Sequence, residues 1–121
     1  MIFDSGENDD VLTLKMQGNT YMKDKQYLKA IKRYSTAISK LSITDNSSKE
    51  DIKNYLILLS NRAEGFLKLG YFYSSLKDCN EILENNKANL NLLETTQIDK
   101  IINRKARSKE QIADNLDIAV E

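Results

Sequence analysis

The chain has 121 residues, enough to bury one core and too few for two ordinary domains. Its 18 Lys and Arg balance its 18 Asp and Glu, and its 40% apolar and 30% charged residues suit a globular chain with a solvated surface better than a basic nucleic-acid binder. With no Pro, His or Trp and one Cys, it excludes a disulfide framework and histidine-based metal or proton chemistry, and it reads as a helical protein that binds rather than catalyses, with no cofactor.

In chain order, residues 1 to 10 are acidic and poor in apolar side chains, and read as a flexible tail whose Asp9 or Asp10 can cap the first helix. They lack the basic and then apolar run of a secretion signal, and no stretch approaches the ~18 apolar residues of a membrane span, so a cytoplasmic and nuclear setting is expected. Val11, Leu14, Tyr21 and Met22 share one stripe of a first helix. Tyr27, Ala30, Ile31, Tyr34, Ala37, Ile38 and Leu41 make a clearer stripe on a second, joined to it by a tight Lys-Asp-Lys-Gln turn. After the polar run Thr44 to Ser48, a third helix carries Ile52, Tyr55, Leu56, Leu59, Ala63 and Phe66 and should end near Gly70. A fourth carries Phe72, Leu76, Cys79, Ile82 and Leu83, and the Asn-rich stretch from 85 to 91 reads as a loop. Leu92, Leu93, Ile98, Ile101, Ile102, Ile112 and Leu116 suit a final helical region, before an unpatterned tail at 117 to 121.

These helices repeat. Counting from Val11 puts Leu14, Gly18, Tyr21, Ala30, Tyr34 and Ala37 in slots that Leu59, Ala63, Phe66, Ser75, Cys79 and Ile82 occupy when counted from Leu56. With the phrases Ser60-Asn61-Arg62-Ala63 and Leu67-Lys68-Leu69-Gly70, the pattern resembles the tetratricopeptide repeat, a unit of ~34 residues. The resemblance covers about residues 11 to 116. It implies an all-α fold of two helix-turn-helix repeats, 11 to 44 and 56 to 89, with a capping helix or half repeat at about 92 to 116, together forming a right-handed superhelical groove. The chain departs from the pattern in lacking a Pro at the repeat ends, in spacing its repeats by about ten extra residues, and in having Ser75 where Ala is usual.

Within that family, the first helix of each repeat lines the groove. Lys15 and Asn19 on the first helix, Asn61 on the third, and Lys100 and Arg104 on the fifth match the slots of a two-carboxylate clamp found in co-chaperones that hold the C-termini of heat-shock protein 90 and heat-shock protein 70. The resemblance implies that Lys15, Asn19 and Asn61 hold the terminal carboxylate and that Lys100 and Arg104 grip the Asp side chain. Met22, Glu64 and Lys68 are further groove positions; Glu64, one turn after Asn61, would either repel an acidic peptide or pair with Arg104. The chemistry is sound in itself, because a terminal Asp offers two carboxylates and each charge-assisted hydrogen bond to them is worth roughly 1.5 to 3 kcal/mol. Short members of the family also imply an adaptor that passes heat-shock protein 90 to a Pih1-type second partner docked after about residue 107, including Ile118 and Val120. That link would lead on to the Rvb1 and Rvb2 ATPases and box C/D small nucleolar ribonucleoprotein assembly.

Two other readings stay open: a general repeat scaffold whose groove takes an internal peptide, and a repeat-bearing piece of a larger co-chaperone or immunophilin. Cys79 falls on an apolar stripe and reads as a buried thiol. Tyr27, Tyr34, Tyr55 and Phe66 fall at core spacing, and Asn46-Ser47-Ser48 reads as a polar loop.

Overall fold

Local chemistry sets the helix ends. The computed structural model describes residues 8 to 89 and 91 to 120, without the side chains of 117 to 120. Helix α1 (Val11–Lys23) starts where the Asp10 carboxylate accepts the Thr13 N–H at 2.7 Å, and those hydrogen bonds hold the Asp10 carboxyl below its ordinary range. After a turn in which Lys25 takes a positive φ of 60°, α2 (Tyr27–Leu41) runs to Ser42, itself left-handed at φ 44°. Ser48 caps α3 (Lys49–Leu69) by accepting the Asp51 N–H at 3.1 Å, and Glu50 and Asp51 sit in the first turn, where the helix dipole favours acids. Its end is the expected glycine stop: Gly70 has φ 81°, and the Tyr71 N–H returns to the Phe66 carbonyl at 2.8 Å. Helices α4 (Phe72–Ala88) and α5 (Thr95–Val120) complete the chain, with no strand among the described residues.

Each helix packs chiefly on the next in sequence, while α1 and α5 also touch α3. The fold is therefore all-α and tetratricopeptide-like: hairpins α1–α2 and α3–α4 are followed by α5, with α1, α3 and α5 forming one layer and α2 and α4 the other. Two apolar clusters hold it. Leu14, Ala30, Tyr34, Ala37 and Leu58 fill the space between the first three helices; Ile52, Leu56, Leu59, Ala63, Cys79, Ile82, Leu93 and Ile101 fill the space between the last three. The second cluster contains the Cys79 thiol, which burial pushes up to about 11. Small residues mark the crossings. Gly18 lies against the Tyr34 ring, Gly65 against Ile31, and buried Ser75 meets buried Ser108 at 3.2 Å across α4 and α5. No described helix is long and apolar enough to cross a membrane.

Two sequence expectations change. The Asn-rich stretch is helical as far as Ala88, because Asn85 turns its amide back onto the Glu81 carbonyl at 2.8 Å and buried Asn86 accepts the Leu93 N–H at 2.8 Å. That bond makes Asn86 a splint closing the α4–α5 connection. Ile102 and Leu116 of the final helix are exposed. Helix α5 also continues through residues 117 to 120, where a tail was expected, as no Gly or Pro follows Gly70 to stop it. The side chains of Ile118 and Val120, and residues 1 to 7, lie outside the described residues.

The Gly18 contact yields a stability test. A Cβ at Gly18 would fall on the Tyr34 ring, 2.7 Å from Cδ1 and 2.9 Å from Cζ, and that ring is only 1% exposed and cannot swing away. Gly18→Ala should therefore lower stability by about 1 to 3 kcal/mol through overpacking, despite the ~1 kcal/mol by which Ala is favoured in a helix. Urea denaturation, read as a fall in midpoint at unchanged slope, checks this.

Candidate functional site

The layer formed by α1, α3 and α5 carries the clamp candidates. On α1, Asn19 sits one turn beyond Lys15, and its Oδ1 accepts two hydrogen bonds, from the Tyr34 hydroxyl at 2.6 Å and from the Asn61 Nδ2 at 3.3 Å. The two Asn residues, 42 positions apart in sequence, thus become one polar pair across α1 and α3. Burial pushes the Tyr34 phenol up to about 12, so it remains a donor across the physiological range and fixes the orientation of the Asn19 amide. Sequence spacing puts Tyr34 in the core and says nothing more; its ring is there, but its hydroxyl reaches the groove layer.

Asn61 in turn shares a cavity of about 120 Å³ with Lys100 and Arg104, walled by Leu56, Ile57, Leu93 and Ile101. Lys100 is exposed, free to meet a ligand, whereas Arg104 is held. Its Nη1 donates to the Ser60 carbonyl at 2.9 Å and the Ser60 hydroxyl at 2.5 Å, and its Nε donates to Glu64 at 3.0 Å. Of the two alternatives for Glu64, pairing with Arg104 is the one realised. Lys68, one turn on, approaches the other Glu64 oxygen at 3.7 Å. A wider groove of about 500 Å³ continues past this pair, lined by Glu64, Asp99, Lys100, Asn103, Arg104 and Arg107.

Other candidates lie apart. Lys15 lines a separate depression with Asp51 and Asn54, so the structure joins it to Asn19 along α1 and not to the α5 cations. Met22 is half-buried against the first apolar cluster, its sulfur 3.6 Å from where a Cβ on Gly65 would stand, and it serves the α1–α3 packing. Arg107 is a groove residue that the sequence pattern alone did not single out. It lies seven residues after Lys100 and three after Arg104, a helical spacing that puts all three on one face, and its Nη1 is 3.9 Å from Glu64. Ser60 went unnoticed as well, and nothing in a single Ser beside Asn61 signals that α5 will bring an Arg to it.

A second Arg–carboxylate pair lies on the other side of α3. Arg62 donates to both Asp78 oxygens at 2.8 Å and to Ser35 at 3.1 Å, tying α2, α3 and α4 together. Burial raises the Asp78 carboxyl in spite of Arg62, as expected where desolvation outweighs attraction to the partner charge. In this pair the carboxylate is buried, the Asp78 side chain being 5% exposed, whereas in the Arg104–Glu64 pair the Glu64 side chain is 21% exposed and borders an open groove.

No family model matches the chain, and no solved structure matches it. Among curated proteins it is similar to Sperm-associated antigen 1 of Mus musculus, 36% identical over 76 residues, which is 63% of this chain and 8% of the mouse protein. It is also similar to Sperm-associated antigen 1 of Homo sapiens, 38% identical over 71 residues, which is 59% of this chain and 7% of the human protein. The chain thus spans less than a tenth of the length of these relatives.

The Tyr34–Asn19 bond gives a test by pH. The unfolded phenol ionises near its ordinary pKa of 10.0 and the folded one near about 12, so stability is retained below 10 and falls as pH rises between the two values. Tyr34→Phe should cost about 0.5 to 1.5 kcal/mol near neutral pH for the lost hydrogen bond, and should flatten part of the alkaline decline. Denaturant unfolding at pH steps from neutral to strongly alkaline reads both effects.

Proposed function

We propose that this chain is a co-chaperone adaptor whose α1, α3 and α5 layer holds the acidic C-terminal tail of heat-shock protein 90, or of heat-shock protein 70, by its terminal and side-chain carboxylates. The observation that carries the reading is the convergence of Asn19 with Asn61, and of Asn61 with Lys100 and Arg104 about one small cavity, from helices far apart in sequence. Amide donors beside cations suit two carboxylates a few ångströms apart, and a cavity of about 120 Å³ suits a short side chain better than a helix. Such a protein works by binding, in the cytoplasm and nucleus.

In this reading the chain acts like Tah1, the small fungal co-chaperone, and passes the chaperone to a Pih1-type second protein on the C-terminal part of α5. Ile112 and exposed Leu116 there form, with Tyr71 and Tyr73, an apolar depression of about 440 Å³ that the second protein would cover. A second reading, a scaffold for an internal peptide, is favoured by one specific observation: Glu64 already occupies Arg104.

Calorimetric titration with Met-Glu-Glu-Val-Asp separates the two. The first reading expects binding on the order of micromolar, about 8 kcal/mol, lost on amidating the peptide's C-terminus. Lys100→Ala should weaken it about tenfold or more, the worth of a charge-assisted hydrogen bond, while leaving the unfolding midpoint unchanged because Lys100 is exposed. Equal affinity for the acid and amide peptides would favour the scaffold.

A further inference from the structure

Glu64 is an anion in a groove whose lining also holds Lys100, Arg104 and Arg107, with Asp99 and Asn103. Its side chain is 21% exposed, and Arg104, Arg107 and Lys68 reach it at 3.0, 3.9 and 3.7 Å. One carboxylate surrounded by three cations at the mouth of an open groove is the arrangement a bound acidic side chain would itself adopt. The protein supplies that carboxylate from its own α3.

The anchoring of Arg104 makes exchange feasible. Its Nη1 is tied to both oxygens of Ser60, so the guanidinium stays in place whichever carboxylate lies on its other edge. Glu64 is held only through its carboxylate, and no described hydrogen bond or ion pair fixes it to anything but these cations. A flexible side chain on a rigid helix can swing aside while the Arg remains.

We propose that Glu64 is a built-in competitor that occupies Arg104 in the free protein and must be displaced by the side-chain carboxylate of an acidic ligand. This rests on the carboxylate-groove reading above and adds a specificity rule to it. A ligand whose last residue has no side-chain carboxylate, its chain terminus placed by the Asn19 and Asn61 amides, has no group at that position to exchange with Glu64. A ligand ending in Asp brings a second carboxylate and offsets the displacement of Glu64 with an equivalent interaction. Glu64 thereby lowers affinity for Asp-ended ligands and leaves Asn-ended ones nearly untouched, keeping the adaptor's hold on its ligand weak enough to release.

The test compares wild type, Glu64→Gln and Glu64→Ala by calorimetry with free-acid Met-Glu-Glu-Val-Asp and Met-Glu-Glu-Val-Asn, circular dichroism melting confirming that each variant is folded. The expected result is that both substitutions tighten the Asp-ended peptide by about tenfold, the worth of one charge-assisted hydrogen bond no longer contested by Glu64, and change the Asn-ended peptide by less than about threefold. The Asp-over-Asn preference therefore widens. Unchanged or weaker binding of the Asp-ended peptide in both variants overturns the competitor role, as does an equal tightening for both peptides, the mark of a general change in fold or field. If wild type and variants alike fail to bind either free-acid peptide, the carboxylate-groove reading falls and takes this proposal with it. Wild-type binding that the variants do not improve removes the competitor alone.

Discussion

Helix α3 has to satisfy all its neighbours at once, for it touches every other helix of the described chain. It buries Ile52, Leu56, Leu58, Leu59, Ala63, Gly65 and Leu67, so apolar or small residues point to both layers rather than along one stripe. What remains for polar side chains is a narrow strip toward the groove and another toward α2 and α4. Asn61 and Glu64 take the first and Arg62 the second. Because those strips are bounded by packed residues, the backbone positions that carry the groove groups cannot be shifted without unpacking a core cluster. A protein interior with near-crystalline density transmits such constraints directly to its surface.

The two Arg–carboxylate pairs on opposite sides of α3 show how location sets the use of similar chemistry. Arg62 and Asp78 form a bidentate pair whose carboxylate is buried between helices, where desolvation costs much of what attraction returns. Its clearest contribution is register, since Ser35, Arg62 and Asp78 come from three successive helices and meet in one arrangement only. Arg104 and Glu64 also bridge two helices, yet they border an open groove in which water or a ligand can take the place of either partner. A zero net charge for the whole chain conceals this local surplus of cations.

Much of the fold was legible because helical periodicity and end signals are local. Leu14, Ala30, Tyr34, Ala37, Leu59, Ala63 and Ile82 all became core residues as their spacing required, and Gly70 ended α3 by adopting a left-handed φ. Leu58 and Gly65 were passed over because a search for one stripe does not register a helix buried on two sides. Asn85 and Asn86 looked like loop because Asn competes for backbone hydrogen bonds, and here each uses its amide to close a turn around the helix end instead. In the site, the family resemblance named Lys15, Asn19, Asn61, Lys100 and Arg104, but not which of them would stand free.

By itself the sequence determined the helical class and the number and order of the helices, because each depends on spacings within a few turns. Only the tertiary structure decided that Asn19 would be oriented by Tyr34, that Lys15 would stand in a separate depression, and that Arg104 would be tied to Ser60 and Glu64 while Lys100 stayed exposed. Those outcomes turn on distances of a few tenths of an ångström between helices 15 to 44 residues apart in the chain, and charge and hydrogen-bond energies change steeply over such distances.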